Sequence, residues 1–254
     1  MTPHGMLLSF VSDFGLGLLL GWLGGLFGIG GGLIAIPALV WLFGFSQQLA
    51  QGTALVMIVP NVVFGFWLYR QHNPIEIKSA LLIGLPSVLS TYVTALYASS
   101  LDSHVLKLAF AFFLAGIALL LVVQIKSKNH DSRSEHILPR WCLGVLGLVS
   151  GIFSGLFTVG GGLIVAPALL KFFNINRQTT AQGLALAAVT PGAVVALGVY
   201  ATASHVDWWA GVPMALGGLL SMRWGVSLAH KLPEKFLRLF FSGLLFVTAL
   251  ALLA

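Results

Sequence analysis

The amino-acid sequence predicts an all-α polytopic membrane protein made of two inverted repeats, each a glycine-broken re-entrant helical hairpin followed by three transmembrane helices. Three observations carry that expectation: the scarcity of charge, a glycine-rich block that occurs twice, and the sidedness of the basic residues. Only 20 of the 254 residues are Lys, Arg, Asp or Glu (8%), whereas 58% are hydrophobic and another 30 are glycine. A soluble domain carries about 25% charged residues to keep its surface in water. The composition therefore excludes a soluble enzyme, a nucleic-acid-binding domain and a disordered chain. The lipid bilayer is the expected solvent. No nucleic acid is expected as a partner, because the 13 basic residues are scattered between apolar runs and form no stripe.

Read in order, the chain opens on Met1-Thr2-Pro3-His4, without the basic start of a secretory signal, so its first apolar run is expected to be retained. Residues 14–69 are 56 positions without a charge, far more than the roughly 20 one crossing needs. Further spans are expected over 79–101, 108–125, 178–204, 208–229 and 236–254. A polar stretch at 126–135 divides the chain. The expected organisation is a first repeat over 1–125, a cytoplasmic linker over 126–140 and a second repeat over 141–254. Cys142 stands alone, with no disulfide partner and no metal-ligand spacing.

The repeat is explicit. Residues 21–39 recur at 151–169 with 12 of 19 positions identical, including Gly30-Gly31-Gly32-Leu33-Ile34 against Gly160-Gly161-Gly162-Leu163-Ile164 and Pro37-Ala38-Leu39 against Pro167-Ala168-Leu169. Gln51-Gly52 matches Gln182-Gly183, and Pro60 matches Pro191. Chance apolar similarity does not keep Gly, Pro and Gln in register.

Each glycine costs a helix about 1 kcal/mol relative to alanine, so a triplet predicts a break. A break is tolerated in a bilayer only inside protein or beside water. The arms that follow, 33–43 and 163–173, are too short to cross alone. The basic residues choose between an interrupted span and a hairpin. If each glycine element crosses once, they divide six against six. If each returns to its side of entry, Arg70, Lys78, Lys126, Lys128, Arg133, Arg140, Lys171, Arg177, Lys231, Lys235 and Arg238 share one face and Lys107 lies opposite. Eleven against one is the bias of a cytoplasmic side, so the hairpin is expected, with both termini periplasmic and the second repeat inverted.

Inverted repeats with broken helices belong to secondary transporters, whose site lies near midplane between the repeats. Short helices starting near Leu33 and Leu163 would direct free N–H groups and positive dipole ends at a shared point, a way to hold an anion without a charged side chain. The candidate substrate-binding residues are Gly30, Gly31, Gly32, Gly160, Gly161 and Gly162, with hydrogen bonds from Gln51, Thr53, Gln182 and Asn61. Pro37 and Pro167 would fix the short arms. The alternative for the glycines is plain helix packing. Arg223, inside a span, either meets the anion or snorkels to the surface. No Asp or Glu stands at the centre of a span, and no metal spacing, triad or phosphate loop is present, so no cofactor, metal or enzymatic activity is expected.

The paired blocks 28–39 and 159–169, the Gln-Gly starts at Gln51 and Gln182 and the polar middle linker resemble the TauE/SafE sulfite exporter family, also called the toluenesulfonate uptake permeases. The resemblance covers essentially the whole chain. It implies transport of a small sulfur-containing anion such as sulfite, thiosulfate or an organosulfonate across the bacterial inner membrane. Thr158 stands where the first copy has Gly28, which makes the two half-sites unequal. A channel-like anion facilitator and a non-transporting scaffold are the alternative readings. Direction, coupling ion and oligomeric state, a homodimer included, are left open.

Overall fold

The computed structural model describes residues 3–28, 30–72, 76–126, 138–158, 160–173, 175 and 177–253. Among them the chain is helical throughout: α1 Pro3–Phe27, α2 Gly32–Phe43, α3 Gln47–His72, α4 Ile77–Ser100, α5 Ser103–Lys126, α6 Cys142–Phe157, α7 Gly160–Phe172, α8 Gln178–Thr202, α9 Trp208–Ala229 and α10 Glu234–Leu253. Among the described residues five stretches are long and apolar enough to cross a membrane: Ser9–Phe27, Gln47–Gln71, Ile77–Ser100, Ser103–Leu120 and Thr179–Thr202. Most of the expected linker, residues 127–137, lies outside the described residues.

Glycines record how the helices run. On α1, Gly17, Gly21 and Gly25 lie against Met214, Gly218 and Met222 of α9, so closely that a Cβ would strike the α9 backbone. The numbers rise together, so α1 and α9 are parallel. On α3, Val56, Asn61 and Gly65 meet Gly211, Gly218 and Met222 in the same sense. A second parallel set is α4, α6 and α8, with Gly147, Gly151 and Gly155 of α6 against Ile83, Ser87 and Thr91, and Gly84 and Gly192 bringing α4 onto α8. Small residues of this kind let helices approach where lipid offers no hydrophobic drive for association.

α3 and α8 run antiparallel, since Gln51 pairs with Tyr200 and Gly65 lies against Leu186. Because α1 and α3 are parallel, they start at the same end of the bundle, and α2 carries the chain back to the end where α1 begins. The same holds for α6, α7 and α8. Each glycine element is thus a hairpin rather than an interrupted crossing.

The ends are tied by polar contacts. At one, Gln47 N donates to Ser103 Oγ (2.9 Å), Gln48 Nε2 to the Leu101 carbonyl (2.6 Å) and Asp207 N to Thr53 Oγ1 (2.9 Å). At the other, Arg140 pairs with Glu76 at 3.2 Å, and the Tyr69 and His230 rings meet at 5.5 Å. Arg70, Lys78, Arg140, Lys171, Arg177 and Lys231 fall at this second end, and Lys107 at the first.

The core lies between α1, α3, α8 and α9, with Leu20, Leu33, Met57, Ile58, Tyr69 and Tyr200 almost fully enclosed. The outer face is apolar too: Leu85, Leu89, Phe112, Leu119 and Trp209 are exposed, as lipid-facing side chains must be. Arg223 lies on this outer face, exposed, while its neighbour Met222 points inward.

Candidate functional site

The two hairpins turn by different chemistry. After α1, Gly28, Gly30 and Gly31 all take positive φ, at +67°, +72° and +89°. The space around them is filled: a Cβ on Gly30 would lie 2.6 Å from Val62 Cγ1, and one on Gly31 would lie 2.6 Å from the Leu20 carbonyl oxygen. Only glycine meets both demands. After α6 the left-handed residue is Thr158, at φ +60°, with its hydroxyl bonded to the Phe157 carbonyl at 2.7 Å.

The expectation that each short helix begins after its triplet is met within one residue for α2 and corrected for α7. α7 starts at Gly160, so Gly160, Gly161 and Gly162 form its first turn. The chain has already reversed at Thr158, which frees the glycines to be helical. Their propensity cost of about 1 kcal/mol each is smaller than that of backbone groups left unpaired in an apolar interior.

The turns converge. A cavity is lined by Gly28, Ile58, Val62, Thr158, Gly162, Leu186 and Val189. Gly28 and Thr158 occupy the same position of the two copies, 130 residues apart, and the other walls come from α3, α7 and α8. The cavity is small, with room for about one water. Among the described residues no charged side chain lines it. On the α7 side it is roomy, since a Cβ built on Gly162 meets nothing within 4 Å. Gly31, which precedes α2, has no side chain with which to cap that helix, and its carbonyl accepts from Ile34 N at 3.3 Å and Ala35 N at 3.2 Å.

The remaining candidates divide into near and far. Asn61 is fully buried beside the first turn, with Nδ2 donating to the Gly30 carbonyl at 3.4 Å and Oδ1 without a partner. Gly218 makes room for that amide, since a Cβ there would lie 2.6 Å from Nδ2. Gln182 Nε2 donates to the Phe27 carbonyl at 2.9 Å and packs over Gly28, holding the end of α1. Gln51 and Thr53 are engaged away from the cavity. Gln51 Oε1 accepts from Tyr200 Oη at 2.6 Å, and Thr53 accepts from Asp207 N at the end of the bundle. Pro37 and Pro167 sit inside α2 and α7, where each removes one helical hydrogen bond. Arg223, exposed on the outer face of α9, takes no part in the cavity.

Sequence reasoning missed Tyr69 and Tyr200. Both are fully buried, and Tyr69 Oη donates to the Gly25 carbonyl at 3.1 Å. They are 131 residues apart, the spacing that pairs Gln51 with Gln182, so the register of the repeat carried the signal. It also missed Thr158 as a wall of the cavity and three buried serines, Ser87, Ser150 and Ser154, whose burial no periodicity announces.

Comparison with known proteins adds a family. The model described as Sulfite exporter TauE/SafE matches residues 14–252. A probable membrane transporter protein of Methanocaldococcus jannaschii is 26% identical over 253 residues, covering 93% of this chain and 92% of that one. A probable membrane transporter protein of Xylella fastidiosa strain 9a5c is 27% identical over 226 residues, covering 88% and 86%. The probable membrane transporter protein YunE of Bacillus subtilis is 24% identical over 254 residues, covering 90% and 91%. No solved structure matches.

Proposed function

Because this chain belongs to the sulfite exporter TauE/SafE family, we propose that it is a secondary transporter moving a small sulfur-containing anion across the cytoplasmic membrane. Sulfite, thiosulfate and organosulfonates are the candidate substrates. The observation that carries this reading is the cavity between the two turns, walled by the matched residues Gly28 and Thr158 and by the first turn of α7. Helix starts hold anions through N–H groups and the dipole, and a cavity without acidic side chains does not repel one. A site that binds through backbone dipoles needs no buried counter-charge, which would be expensive in lipid.

The two halves act as inverted repeats. Parallel α1, α3 and α9, parallel α4, α6 and α8, and antiparallel α3 and α8 support this: each helix of the first half opposes its counterpart in the second. With the basic end cytoplasmic, both termini are periplasmic. A reporter fusion at Ala254 that reads out in the cytoplasm overturns this orientation.

Transport is tested in proteoliposomes loaded with labelled sulfite, thiosulfate or methanesulfonate. The expected result is saturable flux of at least one of them, driven against its gradient by an imposed ion gradient. Flux that never exceeds equilibration assigns a facilitator instead, and no flux of any sulfur anion removes the reading.

A further inference from the structure

Hydroxyls inside apolar helices have a default partner, the carbonyl three or four residues back. This chain follows it: Ser90, Thr94, Thr190, Ser221, Ser242 and Thr248 all donate in that way. Ser87, Ser150 and Ser154 do not. They are 1%, 0% and 1% exposed, and their Oγ atoms have no hydrogen-bond partner. A hydroxyl buried without a partner is destabilising.

All three lie where α4, α6 and α8 pack together. Gly151, between Ser150 and Ser154, rests on the Ser87 backbone. Ser87 Oγ is 3.5 Å from where a Cβ of Gly192 on α8 would be, and Thr91 Oγ1 is 3.1 Å from that point while donating to the Gly151 carbonyl at 3.1 Å. Ser150, Ser154 and Thr158 follow one another at four-residue spacing, so they share a face of α6 that ends in the cavity wall at Thr158. On the α1–α9 side the matching places hold Leu20, Gly24 and Gly28 in the first copy and Gly218, the counterpart of Ser87, in the second. The hydroxyls therefore flank the cavity on one side only.

We propose that Ser87, Ser150 and Ser154 donate hydrogen bonds to the oxygens of the transported sulfur oxyanion, in a site that opens from the cavity at Thr158 and extends along α6 toward α4 and α8. This rests on the transporter reading above. Three hydroxyl donors suit the three oxygens of a sulfite or sulfonate head. Bonds from O–H to an anionic oxygen are charge-assisted and strong. A back-bonded hydroxyl would have to break that bond before it could bind a substrate.

The test compares Ser87→Ala, Ser150→Ala and Ser154→Ala with Ser242→Ala, whose hydroxyl is back-bonded on α10. Flux of sulfite and methanesulfonate is measured in proteoliposomes with and without sodium, and thermal stability is measured in detergent. The three variants are expected to fold with unchanged or higher Tm, since each loses an unsatisfied group, and to raise the anion KM about tenfold or more. Ser242→Ala is expected to leave KM unchanged. Anion KM values within twofold of wild type in all three variants overturn the assignment. A defect confined to sodium activation also overturns it, because the hydroxyls would then coordinate a cation. Wild-type protein that transports while the variants behave normally sinks the serines alone. Wild-type protein that neither moves nor is stabilised by any sulfur anion sinks both the serines and the transporter reading.

Discussion

The turn after α1 and the turn after α6 descend from one repeated block, yet they have divided two tasks between them. The first is a packed joint. Three positive-φ glycines, Gly28, Gly30 and Gly31, thread between Leu20, Val62 and Gln182 with no space to spare. The second is an open one. It spends a single left-handed residue, Thr158, on the reversal, keeps its glycines helical, leaves Gly162 facing free space, and has serines behind it. Duplication of a motif therefore duplicates the backbone path without duplicating the role. The turn with more positive-φ glycine is the tighter of the two, and the turn with a single left-handed residue keeps space beside it.

Substitutions can break this contrast. The largest effect is expected from Gly31→Ala, which adds a left-handed penalty of about 1–2 kcal/mol to a clash 2.6 Å from the Leu20 carbonyl. It should cost about 3 kcal/mol or more and leave little monodisperse protein after size-exclusion chromatography. Gln182→Leu comes next. It strands the Phe27 carbonyl that closes α1, which should cost about 1–3 kcal/mol in a detergent denaturation series.

Gly162→Ala has the opposite sign. Its Cβ meets nothing and its backbone is helical, so stability should rise by about 0.5–1 kcal/mol. The smallest change is expected from Thr158→Gly, which gives the second turn the residue of the first. Relief of left-handed strain, about 1–2 kcal/mol, opposes glycine's entropy cost and one lost hydroxyl bond, so Tm should correspond to a net change within about 1 kcal/mol. A collapse of Thr158→Gly comparable to that of Gly31→Ala would mean that the second turn is as tightly built as the first.

Much of the fold was legible in the sequence because lipid leaves a strong compositional mark. The expected span over 208–229 coincides with α9, and that over 178–204 overlaps α8 within two residues at its end. The sidedness of twelve basic residues chose the hairpin that the parallel runs of α1 and α3 display. What escaped has a common cause. In a soluble helix the polar face points out, whereas here lipid-facing and core-facing sides are both apolar, so no periodicity tells them apart. The cross-packing of α1 on α9 and of α6 on α4 was invisible for that reason, and so was the burial of Ser87, Ser150 and Ser154. The start of α7 escaped differently. Glycine is compatible with either a turn or a helix, and Thr158, which decides between them, is a residue that seldom takes a positive φ.

Gln51 and Gln182 carry the same lesson as the turns. They are matched in sequence, but Gln182 secures the first turn through the Phe27 carbonyl, whereas Gln51 is drawn to Tyr200 and keeps a buried Nε2 without a partner. Thr158 holds the Phe157 carbonyl that is the counterpart of Phe27, so the second turn is closed from within and the first from outside.

The central claim is that the space between the two turns is where the anion binds. Thermal unfolding of purified wild-type and Gly162→Ala protein, titrated with sulfite, thiosulfate and methanesulfonate, tests it most directly. The account predicts a saturable rise in wild-type Tm with at least one anion, and no rise in Gly162→Ala although its ligand-free Tm is equal or higher. Equal anion-dependent rises in the two proteins would contradict it.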